Sequence, residues 1–320
     1  MDTIAERYQR FARAEAAGRS VLYETMAKHV AESPTVLTFL SRLPQGRQQP
    51  NLLFAAVRLV AGTPASPREL DHAIDEHAEA IAEIMLTRTT QTNEPGRCAA
   101  LLPSLARIEG PLALIEVGAS AGLCLLPDFY GYDWGRRRLD PLARFGATAP
   151  VFQCSASENT PLPARHPEIV WRAGLDLNPL DVSNDEHIAW LETLVWPEHH
   201  ERLEGLRKAV RIARAERPRI VTGDLRHDLS ALIAEAPDDA TVVVFHTAVL
   251  SYVAEQDDRD AFAAGMINNA RVIWLSNEGP RTFPRLVETA EPVHEDMFLL
   301  AVDGQPTAWT GPHGQKIRWI

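Results

Sequence analysis

Seven consecutive residues, Glu116-Val117-Gly118-Ala119-Ser120-Ala121-Gly122, concentrate groups able to do chemistry. Glycine reaches backbone conformations closed to other residues and lets a ligand approach the main chain. If the turn opens a helix, free N–H groups and the positive end of the helix dipole face the ligand. Glu116 suits a ligand's amine or hydroxyls, and Ser120 is a nucleophile wherever a base lies within reach. More such groups follow. Asp176 lies in Gly174-Leu175-Asp176, Asp224 in Thr222-Gly223-Asp224-Leu225, His246 in Phe245-His246-Thr247, and Glu278 in Asn277-Glu278-Gly279. Histidine is the side chain type that titrates near neutrality when unperturbed, so His246 fits a general base, with Glu278 to orient or deprotonate a substrate. Gln91, Asn93, Glu94 and Arg97 form a polar cluster upstream, placed to bind substrate. The plainer readings are a tight packed turn, a core histidine, a solvated loop glutamate and a polar helix end.

These groups need a frame. Residues 1 to about 108 read as helices only. Ser33-Pro34 and Ser66-Pro67-Arg68-Glu69 carry N-cap and proline signals, the second also a capping box. Leu70, Ile74, His77, Ile81 and Met85 form one stripe. The pattern changes after Pro111. Apolar runs at 112–117, 169–171, 219–222, 241–245 and 271–275 fit strands buried on both faces, separated by helical stretches. Residues 297–302 and 307–309, around Asp303-Gly304, read as a hairpin, with 316–320 as a last strand. The expected fold is α/β and Rossmann-like. A mostly parallel sheet with a C-terminal antiparallel hairpin occupies 109–320, with an insertion over about 131–166. An all-helical cap or lid over 1–108 precedes it. Ligands in such sheets bind at the carboxyl ends of the strands.

The glycine turn resembles the first motif of class I S-adenosylmethionine (SAM)-dependent methyltransferases, E/D-x-G-x-G-x-G, with Ser120 in place of the middle glycine. That resemblance implies SAM as cofactor, held by Glu116, Gly118, Ala119, Ser120 and Gly122. It places the ribose on Asp176, the adenine side on Asp224 and Leu225, and the acceptor near His246 and Glu278. About 47 residues separate Gly122 from Ile169. A strand hidden at Val151-Phe152-Gln153 would move the ribose acid from Asp176 to Glu158. G-x-S-x-G is also the nucleophile elbow of serine hydrolases, with Ser120, Asp224 and His246 in triad order. The helical first third and the lack of a His-Gly oxyanion motif argue against it. An NAD-type site lacks its G-x-G-x-x-G. More widely, Gln91-Thr92-Asn93-Glu94-Pro95-Gly96-Arg97, the glycine turn, Gly174-Leu175-Asp176, Leu194-Val195-Trp196-Pro197-Glu198 and Val244-Phe245-His246-Thr247-Ala248-Val249-Leu250 resemble a bacterial family of unknown function over nearly the full length. That resemblance implies a helical N-terminal part and a methyltransferase-like domain, and no substrate.

Composition narrows the partners. A net charge of −11 argues against binding bulk nucleic acid, and Arg136-Arg137-Arg138 reads as a solvated loop. A small-molecule substrate is the expected partner. No apolar run reaches the roughly 20 residues of a membrane span. Cys98, Cys124 and Cys154 lack any C-x-x-C pair and fit reduced thiols. The N-terminus lacks a signal-peptide pattern, so a cytoplasmic protein is expected. His72 and Glu76 share a helical face without a third ligand, and no metal is expected. A ligand-binding module without catalysis is the alternative of a different class.

Overall fold

A computed structural model describes residues 3–320. The first helices are α1 (Ile4–Phe11), α2 (Val21–Val30), α3 (Pro34–Ser41), α4 (Pro50–Ala61), α5 (Pro67–Thr87) and α6 (Cys98–Leu105). Strands β1 (Leu112–Val117), β2 (Gly131–Asp133), β3 (Arg138–Leu139), β4 (Val151–Gln153), β5 (Ser155–Ala156) and β6 (Ile169–Asp176) follow. Helices α7 (Asp185–Leu194) and α8 (His200–Glu216) come next. Then β7 (Arg219–Thr222), α9 (Leu229–Glu235), β8 (Thr241–Thr247), α10 (Gln256–Ile267) and β9 (Val272–Glu278) alternate. A short α11 (Pro284–Val287) leads to β10 (Phe298–Val302), β11 (Gln305–Thr310) and β12 (Lys316–Trp319). The chain divides into two compact units, residues 1–92 with 185–203, and residues 93–184 with 204–320.

In the helical unit the serine-proline starts behave as their chemistry dictates. Ser33 and Ser66 accept hydrogen bonds from the Val36 and Glu69 N–H groups, with proline at the first helical position. Leu70, Ile74, Ile81 and Met85 of α5 are buried beside Tyr8, Phe11, Tyr23 and Phe54. His77 departs from the stripe: its backbone leaves the helical region and marks a kink. Residues 185–203 belong to this unit although they follow a sheet strand. Trp190 is fully buried in the helical core and donates to the Thr89 carbonyl at 3.0 Å. Trp196 packs on Phe11 and Tyr23. Arg58 closes the segment through the Thr193 and Val195 carbonyls at 2.7 and 2.6 Å.

The second unit is built on a nine-stranded sheet of order β5-β12-β11-β10-β9-β8-β1-β6-β7. β7, β6, β1, β8 and β9 run parallel, and β10 to β12 form an antiparallel meander beside β9. The fold is therefore mixed α/β, with a large, mostly parallel sheet and antiparallel C-terminal strands. Every residue of β1 is buried, as a central strand covered on both faces requires. Its side chains alternate. Ala113, Ile115 and Val117 join Leu175, Val244 and Trp274 under Leu232 and Phe262 of α9 and α10. Glu116 therefore points to the opposite face. The hairpin β10–β11 turns at Asp303 and Gly304, both at positive φ, as the right-handed twist of its strands favours.

Two expectations are corrected. Val151–Gln153 is a strand, but it pairs with β2 in a separate three-stranded sheet. The strand that pairs with β1 on the β7 side is β6, while the short β5 lies at the far edge against β12, so Asp176, not Glu158, ends the strand beside β1. Nor does the glycine turn run into an α-helix. Residues 123–129 form short 3-10 turns that are buried throughout. Its side chains are apolar apart from Asp128, and Pro127 lacks an N–H, so the segment has almost no polar face to offer solvent. Arg172 holds it down, donating to the Leu125 carbonyl and forming a two-pronged ion pair with Asp128 at 2.8 and 2.9 Å. No helix among the described residues is long and apolar enough to cross a membrane.

Candidate functional site

The carboxyl ends of β1, β6, β8 and β9 bring most of the singled-out residues to one edge of the sheet. The turn after β1 is folded on itself. The Gly118 and Ala119 N–H groups donate to the Leu175 carbonyl, Gly122 N–H to Ala119, and Leu123 N–H to Asn93 Oδ1 at 2.9 Å. The Ser120 N–H donates to Asp176 Oδ2 at 2.8 Å, and Asn178 N–H to Asp176 Oδ1 at 2.8 Å. The open N–H cradle expected of a helix start is thus not formed. The glycines serve close packing instead. A Cβ on Gly118 would lie 2.4 Å from Val249 Cγ2, and one on Gly122 2.6 Å from Ile220 Cδ1. Both have positive φ, as do the non-glycine residues Ser120 (51°) and Ala248 (56°). Left-handed backbone at Ser120 and Ala248 costs energy and concentrates strain at the facing loops of β1 and β8.

Parity along the strands sorts the side chains into two groups. His246 and Glu278 lie on the face covered by α9 and α10. His246 is fully buried among Phe262, Trp274 and Phe283. Its Nδ1 meets Glu278 Oε1 at 2.7 Å, and its Nε2 accepts the Trp274 indole N–H at 3.1 Å. Both ring nitrogens are engaged, so the imidazole offers no base to an acceptor or to Ser120. Glu278 Oε1 also accepts the N–H groups of Val249 and Leu250 at 2.9 and 3.1 Å. The pair holds the loop after β8 and with it Val249 over Gly118. Its other oxygen, Oε2, is buried without a hydrogen-bond partner among the described residues, as is Ser120 Oγ.

The opposite face carries Glu116, Thr247 and Asn277, and the upstream cluster folds over it. Arg97 Nη1 donates to the Thr247 carbonyl and hydroxyl, both at 3.0 Å, and Nε to the Pro312 carbonyl at 2.8 Å. The Glu94 carboxylate accepts Gly96 N–H at 3.2 Å and lies 3.7 Å from His313 Nδ1. Cys124 donates to the Glu94 carbonyl at 3.3 Å. Burial, then the Cys124 thiol and the Asp176 carboxylate, push the Glu116 carboxyl well above the usual range. Its Oε2 has no hydrogen-bond partner among the described residues, and neither has Asn277 Nδ2. The contact with Cys98, reinforced by burial, raises the Cys124 thiol too, which makes it a poor nucleophile.

The remaining residues stand apart. Asp224 follows β7 at the sheet edge, and its carboxylate is clamped by Arg226, which lowers it to about 2. Leu225 is half-buried beside it. Gln91 belongs to the helical unit. His72 and Glu76 form an exposed pair on α5. Sequence reasoning gave no role to Thr247, Asn277, Thr310 or Cys124. Asn277 had a usable signal: as neighbour of Glu278 on a strand, it must take the other face.

A family model described as "Uncharacterized protein conserved in bacteria (DUF2332)" matches residues 5–319. The chain belongs to that family. No curated protein and no solved structure matches it at a significant level.

Proposed function

We propose that this member of the bacterial DUF2332 family binds S-adenosylmethionine at the carboxyl edge of a Rossmann-like sheet and transfers its methyl group to a small molecule. The observation that carries the reading is the junction of β1 and β6. Asp176 ends the strand beside β1, and its carboxylate reaches the strained Ser120 turn. Taken in chain order, the parallel strands β1, β6, β7, β8 and β9 are arranged 3-2-1-4-5. This is the doubly wound order, and the crevice for a nucleoside ligand then opens where the order reverses, between β1 and β8. The loops carrying Ser120 and Ala248 flank that point.

Geometry redistributes the roles. Asp176 braces the turn through the Ser120 and Asn178 N–H groups and, at the end of the strand beside β1, remains the acid for the ribose. Glu116 lies on the face of Asn93, Glu94 and Arg97, which fits the methionine side. His246 and Glu278 position the Val249 loop and take no proton from the acceptor. Methyl transfer tolerates this, because an in-line displacement draws its rate from positioning. A serine hydrolase finds no such support: Ser120 Oγ has no partner among the described residues, and both His246 ring nitrogens are engaged. The test is calorimetric titration with SAM and S-adenosylhomocysteine, repeated on Asp176→Asn. One-to-one binding weakened by the substitution supports the proposal. No heat from a folded protein refutes it.

A further inference from the structure

Arg97 is 6% exposed, yet no carboxylate among the described residues stands within ion-pair distance of it. Its contacts are neutral oxygens and the Phe298 ring, whose centroid lies 5.7 Å away. Nη2 makes no hydrogen bond among the described residues. A buried cation is normally paired, because leaving water is costly. Beside it stands a second unmet donor. Thr247, which Arg97 grips, is the register partner of Asn277 on β9. Phe298 begins β10 on the other side of β9. A guanidinium touching both lies across the carboxyl end of β9, where Asn277 is fully buried. Thr310 donates to Asn277 Oδ1 at 2.7 Å, which leaves Nδ2 as the free end of the amide.

We propose that the carboxyl end of β9 is an anion site in which a ligand carboxylate rests on the Arg97 guanidinium and the Asn277 amide. Two N–H donors, one of them charged, match the two oxygens of a carboxylate. A dianionic phosphate fits less well, because the Glu116 carboxyl stands on the same face within electrostatic reach of Arg97. The inference stands on Arg97 and Asn277 and does not depend on methyl transfer. The carboxylate has two possible sources, the methionine part of SAM or a separate small acid.

The test uses the full chain and the variants Asn277→Asp and Asn277→Ala. Thermal unfolding is followed against sodium acetate and sodium phosphate, with sodium chloride holding ionic strength constant. Acetate is expected to raise the wild-type midpoint saturably. Asn277→Asp supplies its own carboxylate to Arg97, so it stays at least as stable as wild type and responds at least tenfold more weakly. Asn277→Ala weakens the response without supplying an anion. No acetate-specific rise in wild type, an undiminished response in Asn277→Asp, or a response to phosphate alone overturns the proposal. A second arm titrates SAM and decarboxylated SAM. If decarboxylation and Asn277→Asp weaken binding alike, the methionine carboxylate is the occupant. If Asn277→Asp leaves SAM affinity unchanged while abolishing the acetate response, the site takes a separate acid. A protein that answers acetate but binds neither form of SAM keeps the anion site and loses only the methyl-transfer reading.

Discussion

Replacing Glu116 with glutamine tests the electrostatics of the site without changing its shape. Glu116 is buried on β1 and its carboxyl is held well above the ordinary range, so the folded protein keeps it protonated where the unfolded chain ionises it. Stability from the neutral acid is therefore complete below the unfolded value of about 4.5 and is lost as pH rises toward the folded one. For a single proton the loss reaches about 1.4 kcal/mol per pH unit. The sheet unit holds about 200 residues, and an unfolding entropy of about 2.1 cal/mol/K per residue converts that slope to about 3 °C per pH unit. The assay is thermal unfolding of both proteins in matched buffers from pH 4.5 to 8. The two midpoints should nearly coincide at the acid end. The Glu116→Gln midpoint should then climb relative to wild type as pH increases. A constant difference across the range would mean that Glu116 is ionised in the folded protein, and the neutral-acid account would fall.

Other consequences are as direct. Gly118→Ala sets a Cβ against Val249 at a positive φ, and should cost about 2–4 kcal/mol. Adding Val249→Ala should recover part of that loss in a double-mutant cycle, and simple additivity would contradict the packing. Glu278→Ala removes the acceptor of three hydrogen bonds. Amides 249 and 250 should then exchange hydrogen at least tenfold faster, while protection in the helical unit stays unchanged. Asp128→Ala strands the half-buried Arg172 and should destabilise by about 1–3 kcal/mol in urea unfolding. Ser120→Ala should keep SAM affinity within a few-fold, and a fluorophosphonate probe should leave wild-type Ser120 unlabelled. Stoichiometric labelling would restore the hydrolase reading.

The sheet was readable because a central parallel strand is a near-continuous apolar run, as Leu112–Val117 is apart from Glu116. β6 was harder: sequence reading ended it near Trp171, because Arg172 breaks the apolar run. Its charge is tolerated there only because Asp128, far away in sequence, meets it. The segment holding α7 reads as an ordinary crossover, and only the burial of Trp190 in the helical core assigns it elsewhere. Small residues at 118–122 announced a tight turn correctly. They did not reveal whether the space above was open or filled by Val249. At the site, titratable residues at strand ends were easy to find. Their roles depended on strand parity. His246 and Glu278 fall on the packed face, while Thr247 and Asn277, one position away from each, fall on the face of Arg97.

The central claim is that the carboxyl end of β1, between β6 and β8, binds a nucleoside cofactor, and S-adenosylhomocysteine calorimetry tests it most directly. The account predicts saturable one-to-one binding to the full chain, weakened at least tenfold by Asp176→Asn. Absence of heat with ligand raised to about 1 mM, a regime that detects binding as weak as about −4 kcal/mol, in protein with an intact unfolding transition, would contradict it.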